Sequence, residues 1–228
     1  MTLNWIIAFL TGHSQVCKTS DGRFSELQPI TSSTVQGSGI GPTLWLIMES
    51  DLHPLSDANV IFKYADDTNL LVPQNTDCTL ANEFSHIKRW ADTNGLIMNF
   101  DKTKELVLHC PHVTRYNLPQ SLAGTEQVLT VRLLGAIFQS SLSFSAHVDY
   151  ILNVCSQRIF LLKQFRAQGM PLKQLHTVFQ AIILQCLAYA LPAWGPFLSV
   201  DLKHKIDRFL KRSYRYSFTK EIFHIQTN

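Results

Sequence analysis

Apolar and polar positions fall into two regimes along this chain. Up to about residue 140 the apolar runs are short and bounded by turn-forming residues; from Ser145 onward they recur every three or four residues. In the first regime Asn4–Leu10 reads as the end of an apolar helix stopped by Gly12. Ser20-Asp21-Gly22 predicts a hairpin between Gln15–Thr19 and Arg23–Glu26, because Asp-Gly suits a tight β-turn. Pro42 suits the first position of a helix, Thr43–Leu52. Ile61–Val72 holds two strand-length runs of β-forming residues around one turn, and predicts a β-hairpin with Asp66 and Asp67 at its tip. A helix follows from Asp77 to Thr93, closed by Asn94-Gly95, with Leu80, Phe84, Ile87 and Ala91 on its packed face and Trp90 assigned to the core. Leu96–Phe100 and Glu105–Cys110 read as strands, 111–129 as loop, and Val131–Phe138 as a strand pair. In the second regime Val148, Ile151, Leu152, Cys155, Ile159 and Leu162 mark one face of a helix ended by Gly169. Pro171 opens a helix over Leu172–Leu191 that is apolar nearly all round, and Leu202, Ile206, Phe209 and Leu210 mark a third. The fold class is therefore α+β, in two parts: a sheet with packed helices over 1–140 and an all-helical segment over 141–228.

Composition sharpens this. An apolar fraction of 46% and a charged fraction of 16% belong to a chain with a core, not to a disordered one. The net charge of +3 hides an asymmetry: residues 1–150 carry 9 Lys and Arg against 14 Asp and Glu, residues 151–228 carry 11 against 3. An acidic half and a basic half suit a protein that holds metal in one place and a phosphate backbone in another, although a solvated charged face has the same composition. Five scattered cysteines without a CxxC pair predict reduced thiols and an intracellular, not secreted, protein. His109, Cys110 and His112 cluster, but no second ligand pair lies at zinc spacing. Trp5–Leu10 is too short for a membrane span, and Phe179–Trp194, interrupted by Gln180 and Gln185, reads as a buried helix; no membrane partner is expected.

The chemistry centres on Asp66-Asp67. Adjacent carboxylates repel, and a hard cation such as Mg²⁺ offsets that cost; Asp in turns is also ordinary turn chemistry. The stretch Gln36-Gly37-Ser38-Gly39-Ile40-Gly41-Pro42 places three glycines before a helix, which allows close approach of another molecule, and it is not a Walker loop because no Gly-Lys-Ser/Thr follows. On the last helix Lys205, Arg208, Arg212 and Arg215 are spaced along one stripe that could track a phosphate backbone, as any exposed basic helix could.

Tyr64-Ala65-Asp66-Asp67 between apolar strands resembles the catalytic hairpin of reverse transcriptases, and most closely those of non-LTR (LINE-type) retrotransposons. Gln-Gly-Ser-x-x-Gly-Pro at Gln36–Pro42 resembles the family's second palm motif, with Val35 where many relatives have Pro. Trp90…Lys104 resembles the fourth, Leu134-Gly135 the primer-gripping motif, and Tyr189–Gly195 the segment after the palm. The resemblance implies a partial palm followed by a helical thumb, with an RNA template, a DNA primer and dNTPs as partners. It also implies two Mg²⁺ ions, Asp66 as a metal ligand with Asp67 in support, and Lys102 near the leaving pyrophosphate. By the same resemblance Gln36, Gly37, Ser38 and Tyr64 contact the nucleotide and template. The family's upstream metal-binding Asp has no counterpart before Gln36 except Asp21, which lies in the Asp-Gly turn. The chain thus reads as a truncated polymerase, inactive alone. The alternatives are a non-catalytic nucleic-acid-binding remnant acting through its basic helices and a structural module with no ligand.

Overall fold

The computed structural model describes residues 2–30, 37–110, 118–219 and 221–224. It combines helices with small two-stranded sheets, and main-chain proximity divides it into two units, Met1–Met98 and Asn99–Asn228.

The first unit opens with α1 (Thr2–Leu10), on which Leu3, Trp5 and Ile7 are exposed. β1 (Ser14–Gln15) pairs antiparallel with β2 (Gln28–Pro29), and inside them a single bridge joins Lys18 and Phe24 around the Asp21-Gly22 turn. The ladder is shorter than the predicted hairpin: main-chain bonds still join Thr19 to Arg23 and Ser25 to Cys17, but side chains take part of the pairing. Thr19 Oγ1 donates to the Asp21 carboxylate, and the Cys17 N–H goes to Ser25 Oγ at 2.9 Å. Next, α2 (Gly41–Met48) carries Pro42 in its first turn and tightens into a 3₁₀ turn over Glu49–Asp51. Ser38 Oγ accepts the Gly41 N–H at 3.1 Å, satisfying one donor that the helix start leaves open.

β3 (Val60–Tyr64) and β4 (Asp67–Leu71) then form the predicted antiparallel hairpin, in a register that runs from Val60 opposite Leu71 to Tyr64 opposite Asp67. Alternation places Ile61 and Lys63 on the half-buried face and Val60, Phe62 and Tyr64 on the exposed one. α3 (Leu80–Thr93) begins three residues later than the Asp77 start read from periodicity: Thr79 caps it, and Asp77 instead accepts from the Ser56 hydroxyl. Ile87 and Ala91 are buried as the spacing predicts, and so, unexpectedly, is Glu83. Trp90 is only half-buried and donates its indole N–H to Asp51 Oδ1 at 2.9 Å.

In the second unit, β5 (Lys104–Leu106) pairs parallel with β6 (Glu126–Val128). Two expectations need correction here. Leu96–Phe100 forms no strand, because the Asn99 carbonyl collects the N–H groups of Lys102 and Thr103 and turns the chain. β6 lies in a stretch whose polarity predicts loop. β7 (Thr130–Leu133) and β8 (Ala136–Gln139) form a tight hairpin over Leu134-Gly135, both with positive φ (45° and 87°). A side chain on Gly135 would begin 3.2 Å from the Tyr189 ring, so both the turn and its neighbour require glycine.

α4 (Ser145–Ala167) buries all six residues of its predicted apolar face. The predicted continuous helix Leu172–Leu191 is interrupted twice. α5 (Leu172–Phe179) runs into a π turn, Gln180–Leu184, before α6 (Gln185–Ala188), and Tyr189-Ala190 then breaks the chain ahead of α7 (Leu191–Trp194). Pro192 cannot donate to a preceding turn, and the Trp194 indole holds the break by donating to the Tyr189 carbonyl at 2.9 Å. The run Leu172–Phe197 is long and apolar enough for a membrane span by length and composition. Here, however, Phe179, Ile183, Leu187 and Trp194 pack into one core with α4 and with Ile206, Phe209 and Leu210 of α8 (Val200–Arg215). Burying each such side chain stabilises the unit by about 1.5–3 kcal/mol.

The two units divide at Met98–Asn99, and long-range contacts tie β7 and β8 to the helices of the second. Phe138 packs edge-on to Phe144 at 5.2 Å between ring centroids, and Gln139 Oε1 accepts the Ala146 N–H at 2.9 Å. The Ile137 N–H reaches Nδ1 of the buried His147 at 3.2 Å.

Candidate active site

The acidic tip belongs to the first unit. Tyr64 and Asp67 form the last pair of the ladder, so the turn itself is Ala65-Asp66, with Ala65 at φ 52°. Asp67 is therefore the first residue of β4 and not, as the residue pattern suggests, part of the turn. Its side chain shares the exposed sheet face with Tyr64, and Tyr64, Asp66 and Asp67 are all open to solvent.

Two contacts fix this tip against α2. The Trp45 indole N–H donates to the Ala65 carbonyl at 2.6 Å, across twenty residues of sequence. From the half-buried face of β3, the Lys63 ammonium donates to the carbonyls of Glu49 and, at 3.0 Å, of Leu52. It thereby satisfies the Leu52 carbonyl at the end of the 3₁₀ turn and adds a second donor to the Glu49 carbonyl, which already accepts the Leu52 N–H. Gly37 and Ser38, just ahead of α2, are thus joined to the tip through one helix. Gln36 lies outside the described residues, as does His112.

Glu49 sits at this junction with 4% of its surface exposed, and its Oε2 has no protein partner. Burial pushes its carboxyl above the ordinary 4.5; the Lys63 charge and a Trp45 hydrogen bond pull against that, and the Asp66 charge adds to the rise. Glu83 anchors the approach to β3. One oxygen accepts from the N–H groups of Leu55 and Ser56 and from Asn59 Nδ2 at 2.9, 3.0 and 2.8 Å; the other accepts again from Leu55 at 3.0 Å. Its burial favours the neutral form, but the Asn59 and backbone bonds outweigh that and hold the carboxyl below 4.5. Sequence reasoning missed both glutamates. The available signal was a carboxylate placed inside an apolar helical stripe, Glu83 beside Phe84 and Ile87.

The donor set is oxygen-rich, as a hard divalent cation requires. It comes from one hairpin tip, however, and among the described residues no group of three or more His, Cys, Asp or Glu side chains is placed to hold a metal ion. The described residues therefore do not fit a complete two-ion site.

The remaining expected site residues lie in the second unit. Lys102 occupies the Asn99–Thr103 turn, its N–H bonded to the Asn99 carbonyl and Oδ1, each at 3.2 Å. Lys205, Arg208, Arg212 and Arg215 are all exposed on α8. They are not equivalent: Lys205 is paired with Asp149, and the Arg212 guanidinium lies 5.4 Å from the Phe209 ring centroid. Asp201 and Asp207 share a shallow depression with His204, Arg208 and Lys211, which interrupts the basic character of that side of the helix.

Residues 1–138 match the family described as "Reverse transcriptase (RNA-dependent DNA polymerase)". The chain belongs to the reverse transcriptase family. Among curated proteins it is similar to the RNA-directed DNA polymerase from the mobile element jockey of Drosophila melanogaster, at 27% identity over 77% of this chain and 20% of the relative. It is also similar to a putative 115 kDa protein in the type-1 retrotransposable element R1DM of the same organism, at 25% identity over 82% of this chain and 19% of the relative. Its kind of reverse transcriptase is therefore that of the non-LTR, LINE-type retrotransposons. The chain spans about a fifth of the length of these relatives. No solved structure matches it. The family as a whole uses divalent metal ions, a nucleic-acid template and deoxynucleoside triphosphates.

Proposed function

We propose that this chain supplies the carboxylate turn and the adjoining nucleotide-side helix of an RNA-directed DNA polymerase palm, followed by the start of a helical thumb. The observation that carries this reading is the Trp45–Ala65 hydrogen bond, which joins the helix after the Gly-rich loop to the acidic tip. Asp66 presents oxygen to Mg²⁺ and Asp67 supports it. Gln36, Gly37, Ser38 and Tyr64 border the nucleotide and template, and Lys102 serves the leaving pyrophosphate. RNA template, DNA primer and dNTP are the substrates, and the five free thiols suit an intracellular setting.

The paired carboxylates furnish oxygen ligands from one hairpin tip, so this chain alone extends no primer. With primed RNA, dNTPs and Mg²⁺, extension should not exceed that of Asp66→Asn. Robust extension that Asp66→Asn abolishes refutes the incompleteness of the site while preserving the polymerase reading. The converse test uses a longer translation of the same element that regains extension: if Asp66→Asn leaves that activity intact, the assignment of the tip is wrong.

A second reading, a nucleic-acid-binding segment without catalysis, is favoured by the exposure of Arg208, Arg212 and Arg215 on α8. It requires steeply salt-dependent binding of an RNA–DNA hybrid that survives Asp66→Asn with Asp67→Asn and is lost with Arg208→Ala and Arg212→Ala.

A further inference from the structure

We propose that Cys155 and Cys186 form a reversible disulfide that staples α4 to α6 when a small-molecule disulfide oxidises the second unit. Cys155 is fully buried in the middle of the apolar face of α4, and Cys186 is half-buried and packs against the same core. The helices approach closely enough for their Cα atoms to lie within 8 Å of one another. The Cys155 sulfur lies 4.0 Å from the Ile183 carbonyl, one turn before Cys186, and Cys186 is among the neighbours that push the Cys155 thiol up.

The π turn over Gln180–Leu184 creates this meeting. Inserting a residue into the ladder displaces a carbonyl from its usual partner. The Ile182 carbonyl is taken by the Arg158 guanidinium, and the Ile183 carbonyl faces Cys155. A regular helix would carry these carbonyls along the axis and turn Cys186 to a different azimuth.

The two thiols have separable roles. Cys155 is closed to solvent, and burial and the neighbouring Cys186 push its thiol up to about 12, so the first attack on a small disulfide falls to Cys186. Cys186, half-exposed, attacks one sulfur of a small disulfide RSSR as its thiolate and expels RS⁻, leaving a mixed disulfide. Cys155 then loses its proton and attacks the Cys186 sulfur. The Cys155–Cys186 bond forms, the second RS⁻ leaves, and the two thiol protons end on the two RSH released. Both protein sulfurs are oxidised, and the small disulfide takes up the two electrons. Far below the Cys155 pKa, this second step should accelerate about tenfold per pH unit, because its rate follows the thiolate fraction.

The test uses the full chain with Cys17, Cys78 and Cys110 replaced by Ser, treated with oxidised glutathione and followed by intact mass and by mapping of linked peptides. The expected result is a transient glutathione adduct on Cys186 that converts to a Cys155–Cys186 link, reverses with dithiothreitol and raises the melting temperature by several degrees. Cys186→Ser should abolish both species, and Cys155→Ala should arrest at the adduct. Should Cys155→Ala not fold, time-resolved mapping of the parent protein keeps the order of events measurable. A glutathione adduct that persists without linkage overturns the proposal. So does the absence of any reaction at Cys186, or a Cys155 still alkylated in full after oxidation and unfolding.

Discussion

Removing the Glu83 carboxylate is the sharpest test of how this chain holds its acidic hairpin. Glu83 is fully buried and gathers three donors, the N–H groups of Leu55 and Ser56 and the amide of Asn59; Ser56 and Asn59 are themselves buried, at 4% and 2% exposed. Glu83→Ala strands these two donors away from water, while Leu55, at the surface, can rehydrate. Each stranded donor costs about 1–3 kcal/mol, and relief from burying a charge returns part of that. The expected loss is about 3 kcal/mol, a large share of the 5–15 kcal/mol typical of a domain. Urea unfolding with hydrogen exchange at Ser56 measures it: the midpoint should fall, and Ser56 exchange should rise to the rate of the surrounding loop. Acid titration gives an independent reading. Because the folded carboxyl is held below 4.5, its contribution is present above 4.5 and lost as pH falls through the lowered value. Glu83→Ala should flatten that acid limb. A loss below about 0.5 kcal/mol with unchanged Ser56 exchange would show that the donors have other partners and that the anchor is misassigned.

Three further outcomes are expected. Burial, helped by the Arg132 charge, holds His147 below 6.5, so the stability it contributes is full above 6.5 and declines as pH falls through the lowered value; His147→Gln should remove that slope from thermal melts. Gly135→Ala should destabilise the second unit by about 1–2 kcal/mol, through its left-handed φ and the Tyr189 ring, as read by chemical denaturation. Asp149→Asn should release Lys205 and, if α8 contacts nucleic acid, raise affinity for an RNA–DNA hybrid and steepen the salt dependence by about one phosphate contact in fluorescence anisotropy.

What was legible in the sequence follows the range of the interaction that decides it. The β3–β4 hairpin is legible because strand propensity and turn placement act within a dozen residues, and the six-residue face of α4 is legible because helical spacing is local. The parallel pairing of β5 with β6 is not, since a partner about twenty residues away compensates for the polarity of Glu126 and Gln127. The docking of the β7–β8 hairpin on α4 depends on His147 and Gln139 reaching across from α4 and β8, and neither side chain carries a local mark. Glu49 and Glu83 carry no mark in the sequence, because glutamate is almost never buried without partners; only the folded chain shows the partners that hold Glu83 and the open oxygen of Glu49.

The same distinction separates the chemistry of the candidate site from its support. Carboxylates on a turn announce themselves by identity and spacing, so the residues that would meet a cation are read first. The Trp45 indole, which meets a carbonyl rather than a side chain, has no partner whose identity could betray it. Placing the tip thus depends on a backbone acceptor that every residue possesses, and only the approach of α2 to the hairpin selects this one. Substitution at Ala65 with a residue that tolerates positive φ should leave that bond intact, while Trp45→Phe should loosen the tip at a cost of about 1 kcal/mol without touching either carboxylate.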